Sequence, residues 1–285
     1  MDGLGREQNF HYPVFAIELR SYLISLCHIQ KTALVASGCL RRNRLRILMY
    51  HSISDTPTDR LAVRPAMFAA QMQYLAAHRF QVISLQEACR QLETGDNLRH
   101  KIVLTFDDGY RDFLATAAPV LKQHGFAVTL FVVPGWLGKT ARWSSVDQNR
   151  RLLSADELGE VRAMGFALGS HTMTHPDLTA LDDAALKREL TESRAAIAAL
   201  GEAFIPFAYP GGTFTRRERD AVARAGYGCA VIVGGRWGNG RETDRWLLKR
   251  EPMLASDSLD WFARRVSGFY EWHYLWARAR GVETR

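Results

Sequence analysis

Two apolar runs that end in potential metal ligands constrain this chain more than any other feature of its sequence. Residues 101–106 are largely apolar and are followed at once by the carboxylates Asp107–Asp108. Residues 166–170 are also largely apolar and lead into His171 and His175. Apolar runs of this length are typical of strands buried on both faces, as in parallel sheets. The sequence therefore predicts a buried sheet with carboxylates and imidazoles at its strand ends.

These strand ends together offer a ligand set for one divalent metal. One carboxylate of the pair Asp107–Asp108 can ligate a metal with His171 and His175, while the other stays free to take a proton. Carboxylate and neutral imidazole suit Zn²⁺, with Ni²⁺, Co²⁺ and Fe²⁺ as alternatives. A bound metal can lower the pKa of water from about 15.7 to about 7. Either motif alone is commonly structural, but the two together favour metal-assisted hydrolysis.

Strand-like and helix-like segments alternate along the chain with short connections, which is typical of an α/β barrel. The predicted strands cover residues 46–50, 80–84, 101–106, 127–133, 166–170, 229–233 and 246–249. The predicted helices cover residues 66–79, 85–93, 112–124, 181–200 and 215–225, and Ser154 begins another with a capping-box pattern.

The two motifs resemble the first two signatures of the polysaccharide deacetylase family, which is the NodB-homology group or carbohydrate esterase family four. The resemblance covers residues 45–250. It implies a distorted (β/α) barrel of about seven strands that removes N-acetyl, or sometimes O-acetyl, groups from sugars. It also implies that Asp107 is the general base and that Asp108, His171 and His175 bind the metal.

A third family signature, Phe-Arg-Pro-Pro-Tyr-Gly, is matched only in part by residues 207–212. Ala208 stands where the family usually has the arginine that orients the base, so that contact is expected to be missing in its usual form. This departure resembles the branch of biofilm poly-N-acetylglucosamine deacetylases. The resemblance places Tyr209, Pro210 and Gly211 at the substrate, with the Gly211 N–H as a donor to the oxyanion.

A general acid is also needed, because an amine leaves a tetrahedral intermediate only when it is protonated. His51 follows the predicted strand 46–50, and its surroundings resemble the opening motif of the biofilm branch, where this histidine is the proposed acid. Residues at the carboxyl ends of barrel strands surround one mouth, so we expect His51 to lie near Asp107 and His171. The alternative is a structural histidine bonded to a carboxylate.

Three segments are predicted: an N-terminal helical extension at residues 1–44, the deacetylase barrel at residues 45–252, and a C-terminal aromatic and basic helix at residues 253–285. Basic and aromatic helices can lie on an anionic membrane. A solvated face, or packing on the barrel, is the alternative interpretation. Peripheral membrane contact through the terminal helices is therefore one prediction for this chain.

The formal net charge of +7 favours an anionic neighbour such as an acidic glycan or membrane lipid. No nucleic-acid-binding motif is recognised, so we expect no nucleic acid partner.

The four cysteines form no C-x-x-C motif, which fits free thiols in a reducing compartment. Neither a secretory signal nor an apolar span of ~20 residues is found. We therefore expect a cytoplasmic location, with contact at the inner membrane face as an option.

These features predict a metal-dependent hydrolase that removes N-acetyl groups from an N-acetylhexosamine-containing glycan. One alternative is a deformylase or deacetylase of a lipid-linked amino sugar that uses the same site. The other is a catalytically impaired glycan-binding barrel, which only the missing arginine at Ala208 supports.

Overall fold

The computed structural model describes residues 43–56, 59–143, 150–234 and 238–267. The chain divides into two compact units, residues 1–42 and residues 43–285, and the described residues all belong to the second. The predictions of an N-terminal helical extension and of membrane contact through the terminal helices fall largely outside these residues. No helix in the described ranges is long and apolar enough to cross a bilayer.

In chain order the strands of the described residues are β1 (Arg46–Tyr50), β2 (Ser52–Ile53), β3 (Ala62–Val63), β4 (Gln81–Val82), β5 (Lys101–Phe106), β6 (Val128–Val132), β7 (Ala167–Ser170), β8 (Phe207–Ala208), β9 (Ala230–Val233) and β10 (Leu248–Pro252). Seven parallel strands close into a barrel in the order β1-β10-β9-β8-β7-β6-β5, and β5 pairs back with β1. The short strand β4 pairs with the first residues of β5, and β2 pairs with β3 outside the barrel. The predicted distorted (β/α) barrel is confirmed.

The α-helices of the described residues connect these strands, and most of their ends agree with the predicted ones to within two residues. They are α1 (Pro65–Ala77), α2 (Leu85–Thr94), α3 (Ala118–His124), α4 (Ala155–Ala163), α5 (Asp183–Ala199), α6 (Arg216–Arg224) and α7 (Leu259–Ser267). Ser154 forms the predicted capping box with Glu157 at the start of α4. Short 3₁₀ turns occur at Pro134–Trp136, Leu178–Ala180 and Pro210–Gly212.

The predicted helix at residues 112–124 is wrong in its first half. A π-helical turn at Phe113–Ala117 precedes α3. Pro119 has no N–H, so it cannot make the bond of a regular α-helix to the residue four positions earlier. The Thr116 hydroxyl also lies 2.6 Å from the Asp112 carbonyl oxygen, which the Thr116 N–H would use in a regular helix. The chain therefore takes the wider turn before α3 begins.

The last predicted strand, at residues 246–249, begins and ends too early. The Asp244 side chain accepts the Trp246 N–H at 2.9 Å, and the Asp244 carbonyl accepts the Leu247 N–H at 2.9 Å. These bonds hold the chain in a turn, so β10 starts later and continues past Arg250. Arg250 consequently lies within the sheet and not beyond it.

The barrel interior is closely packed around the ring of Phe131, which is fully buried. The guanidinium of Arg250 lies 5.4 Å from the centroid of that ring. On the neighbouring strand, a Cβ added to Gly169 would stand 2.5 Å from the nearest atom of Phe131. Because the ring is held on both sides, β7 has no room for a side chain at Gly169.

We predict that Gly169→Ala lowers the free energy of unfolding by about 1–3 kcal/mol, because an extra methyl group in a filled core forces neighbouring atoms to move. Urea unfolding followed by circular dichroism measures this. Gly159→Ala is the matched control, since a Cβ at Gly159 in α4 meets no atom within 4 Å, and alanine there is expected to stabilise by about 0.5–1 kcal/mol. Equal effects of the two substitutions would contradict the packing argument.

Candidate metal centre

Three predicted ligands meet at the carboxyl ends of the barrel strands. Asp108 follows β5, and His171 and His175 follow β7. The nitrogen Nε2 of His175 lies 3.5 Å from Oδ1 of Asp108, and Nε2 of His171 lies 3.7 Å from the same oxygen. Ligand atoms of all three side chains lie within 4.8 Å of one another. The structure thus brings together the set that the sequence singled out.

The oxygen Oδ1 of Asp108 is the atom that most clearly indicates an ion. It is buried, and no hydrogen-bond donor reaches it within the described part of the chain. A buried carboxylate oxygen without a partner is costly. Nε2 of His171 and Nε2 of His175 can both direct a lone pair toward the space beside this oxygen. One carboxylate and two imidazoles therefore fit a single divalent ion of the zinc type.

The ring of His171 is held in the tautomer that a metal ligand needs. Its Nδ1 lies 2.8 Å from the carbonyl oxygen of Ala208 and donates to it. This bond leaves Nε2 unprotonated and directed at Asp108. Burial lowers the pKa of His171 and of His175 to about 4. Both imidazoles are therefore neutral, and able to ligate, at neutral pH.

The loop that carries the second histidine is fixed by Glu189 of α5. The Glu189 carboxylate accepts the backbone N–H groups of Met173 and Thr174 at 2.8 and 2.9 Å, and also the Thr174 hydroxyl at 2.6 Å. The backbone N–H of His175 donates to the Thr172 hydroxyl at 2.9 Å. These contacts define a loop that the sequence motif alone did not reveal.

Backbone strain is concentrated at the same place. Asp108, Thr172 and His175 have φ angles of 70°, 68° and 63°, in the left-handed region that non-glycine residues seldom adopt. Such conformations cost roughly 1–3 kcal/mol each and persist where surrounding contacts impose them. The indole of Trp143 stacks on His175 at 4.4 Å with an interplanar angle of 11°. The ligand geometry is thus held by packing as well as by hydrogen bonds.

Asp107 makes a buried ion pair that the sequence did not predict. Both of its carboxylate oxygens accept from Arg250, at 2.6 and 2.7 Å, and the two side chains are almost completely buried. Burial alone would raise the pKa of Asp107. The charge and hydrogen bonds of Arg250, together with the nearby imidazoles of His171 and His51, outweigh burial and hold that pKa at about 2. Asp107 is therefore ionised throughout the neutral range.

Arg250 supplies the contact that was expected to be missing because position 208 is an alanine. It reaches Asp107 from β10 and not from the third motif. One of its terminal nitrogens also donates to Thr105 at 3.2 Å, and Thr105 donates to the Leu48 carbonyl at 2.8 Å. The predicted strand ended at Lys249, so Arg250 fell outside it. Had the end of this strand been predicted correctly, an arginine inside a buried strand would have indicated a buried ion pair.

His51 follows β1 at the same end of the barrel as Asp107, Asp108 and His171. A positive charge on His51 would lower the pKa values of both Asp107 and His175, which places it near both. Its Nδ1 is buried and has no hydrogen-bond partner in the described ranges. Within the described residues no carboxylate bonds to Nδ1, and the alternative of a structural histidine bonded to a carboxylate also stays a prediction. Its role as general acid remains a prediction.

The residues of the third motif lie at the end of β8, where the Ala208 carbonyl accepts from His171. The Tyr209 side chain is buried, and its hydroxyl donates to the Trp246 carbonyl at 3.2 Å, so it is engaged in the core. Pro210 is buried, and Gly211 has a φ of 63° in the turn that follows. The substrate role of these three residues, including the oxyanion contact of the Gly211 N–H, remains a prediction.

We predict that Glu189→Ala weakens Zn²⁺ affinity about 10- to 100-fold, as is typical when a group that positions a ligand is lost. A competition titration with a chromogenic chelator measures this. Glu189→Gln keeps an acceptor oxygen and should lose less. Glu192→Ala, an exposed position on the same helix, is the control. Wild-type affinity in Glu189→Ala would show that the loop holds His175 without this carboxylate.

Residues 94–230 match the family model of the polysaccharide deacetylases. YxkH of Bacillus subtilis, provisionally assigned as a polysaccharide deacetylase, is 30% identical over 192 residues, which are 67% of this chain and 64% of that protein. A poly-β-1,6-N-acetyl-D-glucosamine N-deacetylase of Staphylococcus epidermidis is 30% identical over 106 residues, which are 37% of this chain and 35% of that protein. This chain thus covers 64% or less of the length of these curated relatives.

Solved structures show the same fold. The deacetylase PplD of Streptococcus pyogenes, solved with acetate, superposes with a TM-score of 0.68 at 26% identity over 78% of this chain and 98% of that one. IcaB of Ammonifex degensii superposes with a TM-score of 0.66 at 23% identity over 81% of this chain and 98% of that one. The matched family model, the relatives and the shared barrel agree: this chain belongs to the polysaccharide deacetylase family.

Proposed function

We propose that this protein hydrolyses the acetamide group of N-acetylhexosamine residues in a glycan and depends on one divalent metal, with Zn²⁺ as the first choice. One observation carries the proposal. A buried set of Asp108, His171 and His175 stands beside a second carboxylate, Asp107, whose charge is maintained by its own arginine. A ligand set and a separate ionised base are the two components that hydrolysis of an amide requires.

The proposed substrate class is inferred from the substrates that appear in the names of similar proteins. A chitooligosaccharide deacetylase of Rhizobium leguminosarum is 36% identical over 37% of this chain, and the Staphylococcus epidermidis relative acts on poly-β-1,6-N-acetyl-D-glucosamine. The PplD structure contains acetate, which is the product expected of deacetylation. Together they support an N-acetylated glucosamine polymer or oligomer as the substrate class.

The ligands Asp108, His171 and His175 would hold the metal, which supplies Lewis-acid polarisation of a carbonyl oxygen and acidification of water. Asp107 accepts the proton of the attacking water. Its two oxygens each accept one bond from Arg250, and each keeps a second lone pair for that proton. Arg250 thus keeps the base ionised and fixes its direction.

His51 would donate the proton that the departing amine needs. It follows β1 and lies near Asp107, so proton acceptance and proton donation would fall to different side chains. The backbone N–H of Gly211, at the end of β8, would donate to the developing oxyanion. Acetate and a free amino sugar are then released.

The alternative of a catalytically impaired glycan-binding barrel loses its basis, since Arg250 makes the contact whose loss supported it. A deformylase or deacetylase of a lipid-linked amino sugar would use the same residues. Acetate release from soluble N-acetylglucosamine oligomers, compared with release from a lipid-linked sugar, separates these two substrate classes.

A cytoplasmic location with peripheral contact at the inner membrane face is likewise a proposal, supported by the net charge of +7.

We predict that Asp107→Asn lowers the rate of acetate release from N-acetylglucosamine oligomers by about two to four orders of magnitude, since a positioned base contributes this much. Its metal content should stay at the wild-type level. Asp183→Asn, at an exposed aspartate, is the control and should keep the full rate. A normal rate in Asp107→Asn would remove Asp107 from the role of base.

We also predict that Arg250→Met shifts the acid limb of the pH–rate profile to higher pH. Asp107 must be ionised to act, and Arg250 holds its pKa at about 2 against the opposing effect of burial. Without the guanidinium, burial raises that pKa, so the variant loses rate at low pH and regains part of it as the pH rises. Arg250→Lys keeps a charge and should shift less. An unchanged acid limb would contradict this assignment.

A further inference from the structure

An open cavity, lined mostly by exposed side chains, lies at the surface at the opposite end of the barrel from the metal centre, where β4 and β5 begin. Its volume is about 530 Å³. Five basic side chains line it: His78, Arg79, Arg99, His100 and Lys101. The remaining lining side chains are the amides of Gln81 and Asn97, and no carboxylate is among the residues of this wall.

Strand pairing brings these basic residues together from two distant parts of the sequence. Gln81 of β4 is the register partner of Lys101 of β5, and the Gln81 N–H donates to the His100 carbonyl at 2.7 Å. The ring of Phe80 lies 5.3 Å from that of His100. The turn that carries Arg79 is thus fixed against the turn that carries the other basic side chains.

The cavity also holds strained backbone. Five non-glycine residues of the described ranges have a positive φ, and three of them are at the metal centre. The other two are Arg79 and His100, at 57° and 58°. Arg79 directly follows the C-cap of α1, a position where glycine is usual because it adopts this conformation without cost. Strained residues cluster at ligand-binding sites, and the second cluster in this chain coincides with the basic cavity.

The charge of Lys101 acts on the carboxylate of Glu87, which Arg90 already holds in a bidentate pair. Arg79, Arg99 and Lys101 form no ion pair within the described residues, and the Lys101 ammonium donates instead to the neutral side chain of Gln91 at 2.7 Å. Asp96, the acidic residue nearest in sequence, pairs with Arg90 at 3.3 Å. Several cations held close together without a carboxylate favour a multiply charged anion.

We propose that this cavity binds a phosphate group, carried by a soluble phosphorylated compound or by an anionic lipid headgroup. Arginine forks match phosphate oxygens in geometry and charge. The space exceeds what one phosphate fills, so part of the molecule that carries it also fits. The strand from Lys101 to Asp107 spans about 20 Å at 3.3 Å per residue, so the site is separate from the metal centre and does not depend on deacetylation.

The test uses the full chain and two probes. Calorimetry with inorganic pyrophosphate reports binding of a soluble phosphate, and co-sedimentation with phosphatidylcholine vesicles, with and without phosphatidic acid, reports binding of a lipid phosphate. We expect Arg79→Gln with Arg99→Gln to weaken binding at least about tenfold, because bonds to charged groups contribute this much. The matched control, Arg188→Gln with Arg224→Gln, removes the same charge elsewhere and should change binding less than about twofold, since distant exposed charges are screened.

A single variant separates ligand binding from helix capping. Arg79→Gly places the favoured residue at the left-handed position, so we expect a higher melting temperature together with weaker binding of the phosphate probe. Retention on phosphatidic acid vesicles would identify a lipid as the source, and binding of pyrophosphate alone would identify a soluble compound. The proposal is overturned if neither probe binds, if the control pair weakens binding as much as the cavity pair, or if Arg79→Gly binds as well as wild type.

Discussion

The buried ion pair of Asp107 and Arg250 gives two adjacent aspartates different surroundings and therefore different chemistry. Arg250 satisfies both oxygens of Asp107, while Asp108, the next residue, keeps a buried oxygen that no donor reaches within the described part of the chain. Two neighbouring carboxylates in one cavity would otherwise repel each other and compete for one proton. The internal cation neutralises one of them and leaves the other able to ligate a metal. Removal of either partner would leave a buried charge unpaired, which is strongly destabilising.

The barrel makes this arrangement possible because its strands end at one mouth. In a regular strand, Asp107 and Asp108 would point to opposite faces. The left-handed conformation at Asp108, with a φ of 70°, breaks that alternation where β5 ends. Similar conformations at Thr172 and His175 turn the second histidine back toward the first. The strain is therefore located where the ligands converge, and Glu189 and Trp143 hold the loop that bears it.

The sequence allowed much of this to be predicted for clear physical reasons. Buried parallel strands appear as apolar runs, and their ends carry polar side chains, so the two aspartates could be placed with His171 and His175. The family resemblance, and not the pattern, implied that Asp108 is the ligand. Arg250 could not be found in the same way. Its strand contains three charged residues in a row, Lys249, Arg250 and Glu251, and the turn made by Asp244 displaced the predicted boundary. The ion pair depends on closure of the barrel between β1, β5 and β10, which no local pattern encodes. The π-helical turn before α3 depended similarly on Pro119 and on a side-chain contact of Thr116.

The account depends most on a single divalent ion shared by Asp108, His171 and His175. X-ray absorption spectroscopy at the zinc edge, on the zinc-loaded protein, tests this most directly. We expect one zinc per chain with two imidazole nitrogens at about 2.0–2.1 Å, one or more oxygens at about 2.0–2.2 Å and no sulfur ligand. Fewer than two imidazoles in the spectrum, or a sulfur ligand at about 2.3 Å, would contradict the assignment of the metal centre.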